Sequence, residues 1–167
     1  MFRDNFTQGL GESDRKFIIE LFQDAVRVRL ELPEHIPCGS FFRKTRYLAP
    51  VCHEVAHAFA QVFCGVAVDG EYLFVEGHNR DKQESVSYVL NSSMLHSWVE
   101  VVTEQGTRVI LDVFPDKGQS VFPVLFLAPH PAYFVPTDEV VVRELGLLKR
   151  RNFRKRVAIV AKAMQNL

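Results

Sequence analysis

The chain has 167 residues, of which 47% are hydrophobic and 24% charged, a composition that supports a buried core and excludes intrinsic disorder. Lys plus Arg and Asp plus Glu number 20 each, so no net charge draws the molecule to nucleic acid or an acidic membrane. Three cysteines at irregular spacing, Cys38, Cys52 and Cys64, argue against a disulfide scaffold or a paired-cysteine zinc site and fit free thiols in a reducing compartment.

The first residues, Met1 to Phe6, lack the apolar stretch of a signal peptide. The longest apolar run, 121–134, is broken by Pro123, Pro129 and Pro131 and does not suit a membrane span. The expectation is a single cytoplasmic domain over 1–167, with no membrane partner.

In chain order, a helical segment is expected over 12–32. Ser13 is read as its N-cap, Phe17, Ile18, Leu21, Phe22, Ala25 and Val26 as its apolar stripe, and Pro33 as its stop. Residues 34–50 carry Pro37, Gly39 and Pro50 and read as a loop. A second helix is expected over 52–64, with Val55, Ala56, Phe59, Ala60 and Phe63 on one face and Gly65 closing it. Pro50 just ahead places Cys52 in the first turn.

Beyond Gly65 the hydrophobic period changes to two, and strands are expected over 71–75, 84–90, 96–102 and 107–114. Gln105-Gly106 joins the last two as a hairpin. Pro115 ends this run, 117–137 resists assignment, and helices are expected over 137–148 and 152–165. The C-terminal helical segment is thus 137–167 and the core 50–115. Helices segregated from strands predict an α+β fold, a cysteine-bearing helix packed on a mainly antiparallel sheet.

Three of these residues suit nucleophilic chemistry. A thiol at a helix N-terminus is held toward its anion by the positive end of the dipole, and the anion is the nucleophile. Cys52 occupies that position, and the exposed N–H groups of the first turn supply part of an oxyanion site. His96 opens a strand with Trp98 and Glu100 on its face, and Asp112 lies on the partner strand. A turn centred near Glu104 and Gln105 puts His96 and Asp112 close to opposite one another, within a residue or two of register. A base beside the thiol and a carboxylate to orient the base complete the requirement.

The segment His96-Ser97-Trp98-Val99-Glu100-Val101, followed by Val109-Ile110-Leu111-Asp112, resembles the His-Trp-Glu and Leu-Asp block of transglutaminase-like proteins. The order Cys52, His96, Asp112 matches that superfamily. Cys64-Gly65-Val66-Ala67-Val68 with Tyr72 to Gly77 is similar to its next strand. The likeness covers about 50–115; around Cys52 the chain departs from it, with Val51 before the cysteine and His53-Glu54-Val55-Ala56 after. The resemblance implies a papain-like fold and thiol-dependent acyl transfer on a peptide or amide: peptidase, amidase, deamidase or transglutaminase chemistry. It implies no cofactor, and no calcium loop is seen in the sequence. A second oxyanion donor often comes from a side chain in that family. Tyr47 and Trp98 are the candidates for oxyanion or substrate contact, Trp98 being read first as packing under the site.

One rival lies on the same helix. His53-Glu54-Val55-Ala56-His57 has the H-E-x-x-H pattern in which two histidines bind zinc and the glutamate acts as base. A third ligand would come from Glu76, His78 or His96, though no downstream zincin signature follows. The plainer reading puts these histidines at the rim of the site or in solvent. A third possibility is a catalytically silent binding module on the same fold. The run 149–156 holds six basic residues in eight and reads as a solvated face at a helix junction rather than a nucleic-acid site.

Overall fold

A computed structural model describes residues 10–42, 45–73, 93–115, 122–127, 134–136 and 150–167. Helix α1 spans Glu12–Glu31, and Pro33 follows it. Its stripe of Ile18, Leu21, Ala25 and Val28 is buried, as the period of 3.6 requires. The cap is Gly11 rather than Ser13, and no side chain caps the helix. The buried Asp14 in the first turn instead accepts a short hydrogen bond from the Thr103 hydroxyl, fastening α1 to a distant hairpin.

Residues 34–50 are not the expected loop. Strands β1, Ile36–Phe42, and β2, Thr45–Leu48, pair antiparallel with an irregularity between Pro37 and Phe42. Pro37 and Gly39 look like loop residues locally, but buried Ile36 and Leu48 face each other across the pair and join the core. Tertiary burial outweighs local preference there.

Helix α2, Cys52–Val62, ends two residues earlier than expected. Gly65 then turns the chain with φ +96, and a Cβ there would lie 2.7 Å from Val99 Cγ1, so both backbone conformation and space call for glycine. Strand β3, Val66–Leu73, starts earlier than expected, and β4 and β5 are Ser93–Val102 and Arg108–Asp112. The turn between β4 and β5 runs through Gly106, whose φ is +82. Two short strands fall in the stretch that resisted assignment: β6, Val124–Leu127, and β7, Phe134–Pro136. Helix α3 is Arg150–Met164. The expected strand 84–90 and helix 137–148 lie outside the described residues.

The five-stranded sheet has the order β6-β5-β4-β3-β7, antiparallel at every pairing. With three helices and two antiparallel sheets among the described residues, the fold is α+β. Val99, Val101, Leu111 and Val113 form one core with Val55, Ala56 and Phe59 of α2, with α1, and with Val157, Val160 and Met164 of α3. Trp98 and Ile110 make a smaller cluster with Val68 and Phe126. Residues two apart on β4 and β5 therefore share a cluster, as a pleated strand dictates. No described helix is long and apolar enough to cross a membrane.

Candidate active site

The packing of α2 on β4 sets the end of that helix beside the start of the strand, and this brings Cys52 to His96. Cys52 is the first residue of α2, partly exposed, and follows Val51 in extended backbone. Val51 has no side-chain acceptor, so the capping is one-sided: Glu54 Oε2 accepts the Val51 N–H at 3.1 Å. The N–H groups of the first turn have no acceptor inside the helix.

His96 is 7% exposed and its Nε2–H donates to Asp112 Oδ2 at 2.8 Å. Asp112 is itself fixed, its Oδ1 accepting the Phe114 N–H at 3.2 Å. The register pairs Val99 with Leu111, so Asp112 stands beside Trp98, two residues along from His96 rather than directly opposite. A diagonal of that kind is within reach of an imidazole and a carboxylate on one face. With Nε2 committed to Asp112, Nδ1 is the nitrogen left for the Cys52 thiol, which contributes to raising the ring's pKa.

The electrostatics follow from these contacts. Burial alone would push the Cys52 thiol up, but hydrogen bonds and charge from His53 and His96 outweigh it and lower it to about 6. Burial would lower His96, but hydrogen bonds with Asp112 and Cys52 lift it to about 10. At neutral pH the pair is therefore thiolate and imidazolium. Cys64 behaves oppositely: burial, and then the charge of Asp24, push its thiol up.

The other candidates take different places. Trp98 is fully buried and gives its Nε1–H to Glu100 Oε1 at 3.2 Å; Glu100 in turn pairs with Arg108 at 2.5 Å. Tyr47 stands on β2 with 57% of its surface exposed, and among the described residues no hydrogen bond joins its hydroxyl to Cys52, His96 or Asp112.

The H-E-x-x-H segment is divided among three tasks. His53, 6% exposed, donates from Nδ1 to Ser97 Oγ at 2.6 Å; burial would lower its pKa, but Cys52, Asp69 and Glu54 raise it. Glu54 caps α2 and takes Arg156 Nε on Oε1 at 2.5 Å. His57 Nε2–H is shared by Asp69 Oδ1 and Oδ2 at 3.0 and 3.1 Å. Among the described residues no three His, Cys, Asp or Glu side chains gather as a metal site; Glu76 and His78 lie outside them. The plainer reading put these histidines at the rim of the site or in solvent: His53 is buried next to Cys52, and His57 is partly exposed, with Ser97 and Asp69 as their partners. Of the basic run, Arg156 turns onto Glu54 instead of into solvent.

Sequence reasoning missed Ser97 and Asp69. Their signal was a polar residue on each of two strands, at positions that pair directly across β3 and β4; only the register reveals that they meet. Compared with protein-family models, curated proteins and solved structures, the chain matches none.

Proposed function

We propose that this chain is a thiol-dependent acyl-transfer enzyme of the transglutaminase-like, papain-related type, acting on an amide or peptide through Cys52, His96 and Asp112. One observation carries the reading: the His96 ring is held between a fixed carboxylate and a lowered thiol at a helix N-terminus. Packing of α2 on the antiparallel sheet that bears His96 and Asp112 supports the papain-like fold assignment.

Catalysis begins with Cys52 Sγ attacking a carbonyl carbon. The oxyanion that forms faces the first-turn N–H groups of α2. His96 gives its Nδ1 proton to the leaving amine, and a thioester to Cys52 remains. The neutral ring, still oriented by Asp112, then takes a proton from water or an incoming amine, so the same site serves hydrolysis or transfer.

The test uses p-nitrophenyl acetate and iodoacetamide. Wild-type protein is expected to gain one acetyl group at Cys52, ahead of Cys38 and Cys64, and Cys52→Ala is expected to lose this. His96→Gln and Asp112→Asn should fold and acylate slowly. Labelling spread evenly over the three cysteines, or acylation unaffected by His96→Gln, would refute the reading. A thiol that ionises near pH 6 but never acylates would point to a silent binding module.

A further inference from the structure

Two imidazoles lower the Cys52 thiol, His96 and its helix neighbour His53, and the mechanism above uses only one. His53 is as buried as His96, and it has its own carboxylate, reached through a hydroxyl. Ser97 has a single hydroxyl proton, which it donates to Asp69 Oδ1 in a short hydrogen bond. Ser97 Oγ must then accept from His53, which places a proton on His53 Nδ1. The nitrogen left for the Cys52 sulfur is Nε2. Asp69 takes His57 on both oxygens, and His57 is set edge-on against Phe153 of α3, ring centres 5.0 Å apart. The result is a continuous array from sulfur to partly exposed surface: Cys52, His53, Ser97, Asp69, His57.

We propose that His53 is a second catalytic imidazole of Cys52, its charge set by Ser97 and Asp69 independently of Asp112. The proposal rests on reading Cys52 as the nucleophile. When His53 Nε2 is bare it accepts the sulfur's proton: the S–H bond breaks, an N–H bond forms, and the electron pair stays on sulfur. When His53 is protonated it donates to the thiolate. Its value lies in the second half of the reaction. His96 has one proton to give and loses it to the first leaving group, after which it is neutral and acts as base. Taking a proton from water or the incoming amine makes His96 an imidazolium again before the sulfur departs, and His53 adds a second donor to that leaving thiolate.

The charged and titratable groups around His53 are consistent with this division. Glu54 and His57 share its helix, Asp69 comes from β3, His96 from β4, Asp112 from β5, and Arg156 from α3. Arg156 is occupied by Glu54 and Asp112 by His96; Asp69 is the carboxylate joined to His53 through Ser97, and the charge of Glu54 raises His53 as well, after that of Asp69. The Asp69 carboxyl is held below its usual range; burial opposes this, and hydrogen bonds from His57 and Ser97 prevail. It is therefore an anion whenever His53 can be protonated.

The experiment compares wild type with His53→Gln, Asp69→Asn and Ser97→Ala, each checked by near-UV circular dichroism. The pH dependence of iodoacetamide alkylation at Cys52 is measured, together with the lifetime of its p-nitrophenyl acetate acyl-enzyme. The expected result is that the alkylation inflection rises by about one pH unit in all three, although Asp69 and Ser97 do not touch the sulfur, and that the acyl-enzyme lives longer. A folded Asp69→Asn or Ser97→Ala protein with the wild-type inflection would overturn the proposal, whatever His53→Gln does. If wild type never acylates, the functional reading fails, while the alkylation inflections still report on His53.

Discussion

Removing both imidazoles from Cys52 is the most direct perturbation of the site. In the His53→Gln, His96→Gln protein every side-chain influence that lowers the thiol is gone, and burial, which raises it, is opposed by the helix end alone. Its inflection should therefore lie close to the ordinary 9.0 instead of at about 6. At pH 7 the thiolate fraction then falls from about nine-tenths to about one-hundredth, roughly ninetyfold. The more basic thiolate is the better nucleophile, by about twentyfold for three pH units at a Brønsted coefficient near 0.45. The two effects nearly cancel, and the alkylation rate at pH 7 should drop only about fourfold. At pH 5.5 the fraction ratio is about 760, leaving a net loss of about thirty-five-fold, whereas at about pH 10 the variant should be the faster by about twentyfold.

A single rate at neutral pH is thus a poor assay, and the full profile is a good one. Iodoacetamide rates read by intact mass between pH 5 and 10, with Cys38→Ser and Cys64→Ser in the background, should give two curves that cross a little below pH 8. Curves that run parallel without crossing, or a double variant with its inflection within about a unit of wild type, would show that the imidazoles do not hold the thiolate and that the helix end alone does.

Three further outcomes are expected. Turnover of an amide or ester should rise with pH through about 6 as Cys52 ionises and fall through about 10 as His96 loses its proton, a bell read from the pH dependence of kcat/KM. Asp112→Asn should lower kcat/KM about a hundredfold or more, because Asn can hold the ring but does not stabilise its cation, while leaving the near-UV spectrum unchanged. Arg156→Ala removes the partner of a Glu54 carboxylate that is 5% exposed, and urea denaturation should show a loss of about 2 kcal/mol, reduced from the fully buried case by the partial exposure of the arginine.

How far the sequence speaks for this molecule depends on the range of the interactions. Helices α1 and α2 were readable because their apolar positions repeat every three to four residues on faces that are in fact buried. The hairpin of β4 and β5 was readable because strict alternation flanks Gly106, where φ is positive. Strands β1 and β2 were hidden by Pro37 and Gly39, residues whose local preference is overridden by pairing and burial of Ile36 and Leu48. Strands β6 and β7 are three or four residues long, too short for a period to register. The Glu54–Arg156 tie joins positions 102 apart, and no local pattern encodes such a distance.

The site shows the same limit at finer scale. Cys52 and His53 are neighbours on a helix, and His96 and Ser97 are neighbours on a strand, so each pair looks like one feature in a sequence. A helix rotates about 100° per residue and a strand reverses face at every step. Adjacent residues therefore reach different partners: His96 meets Asp112 on β5, while Ser97 meets Asp69 on β3. Two carboxylates on two strands can be tied to one sulfur only because both pairs are consecutive. The H-E-x-x-H pattern follows from this construction. Positions 53 and 57 lie one helical turn apart above the same strand pair, and both histidines end on the Ser97–Asp69 unit. A spacing that elsewhere fits a metal here spans a hydrogen-bonded carboxylate, and what separates the two is the residue opposite the helix rather than the helix itself.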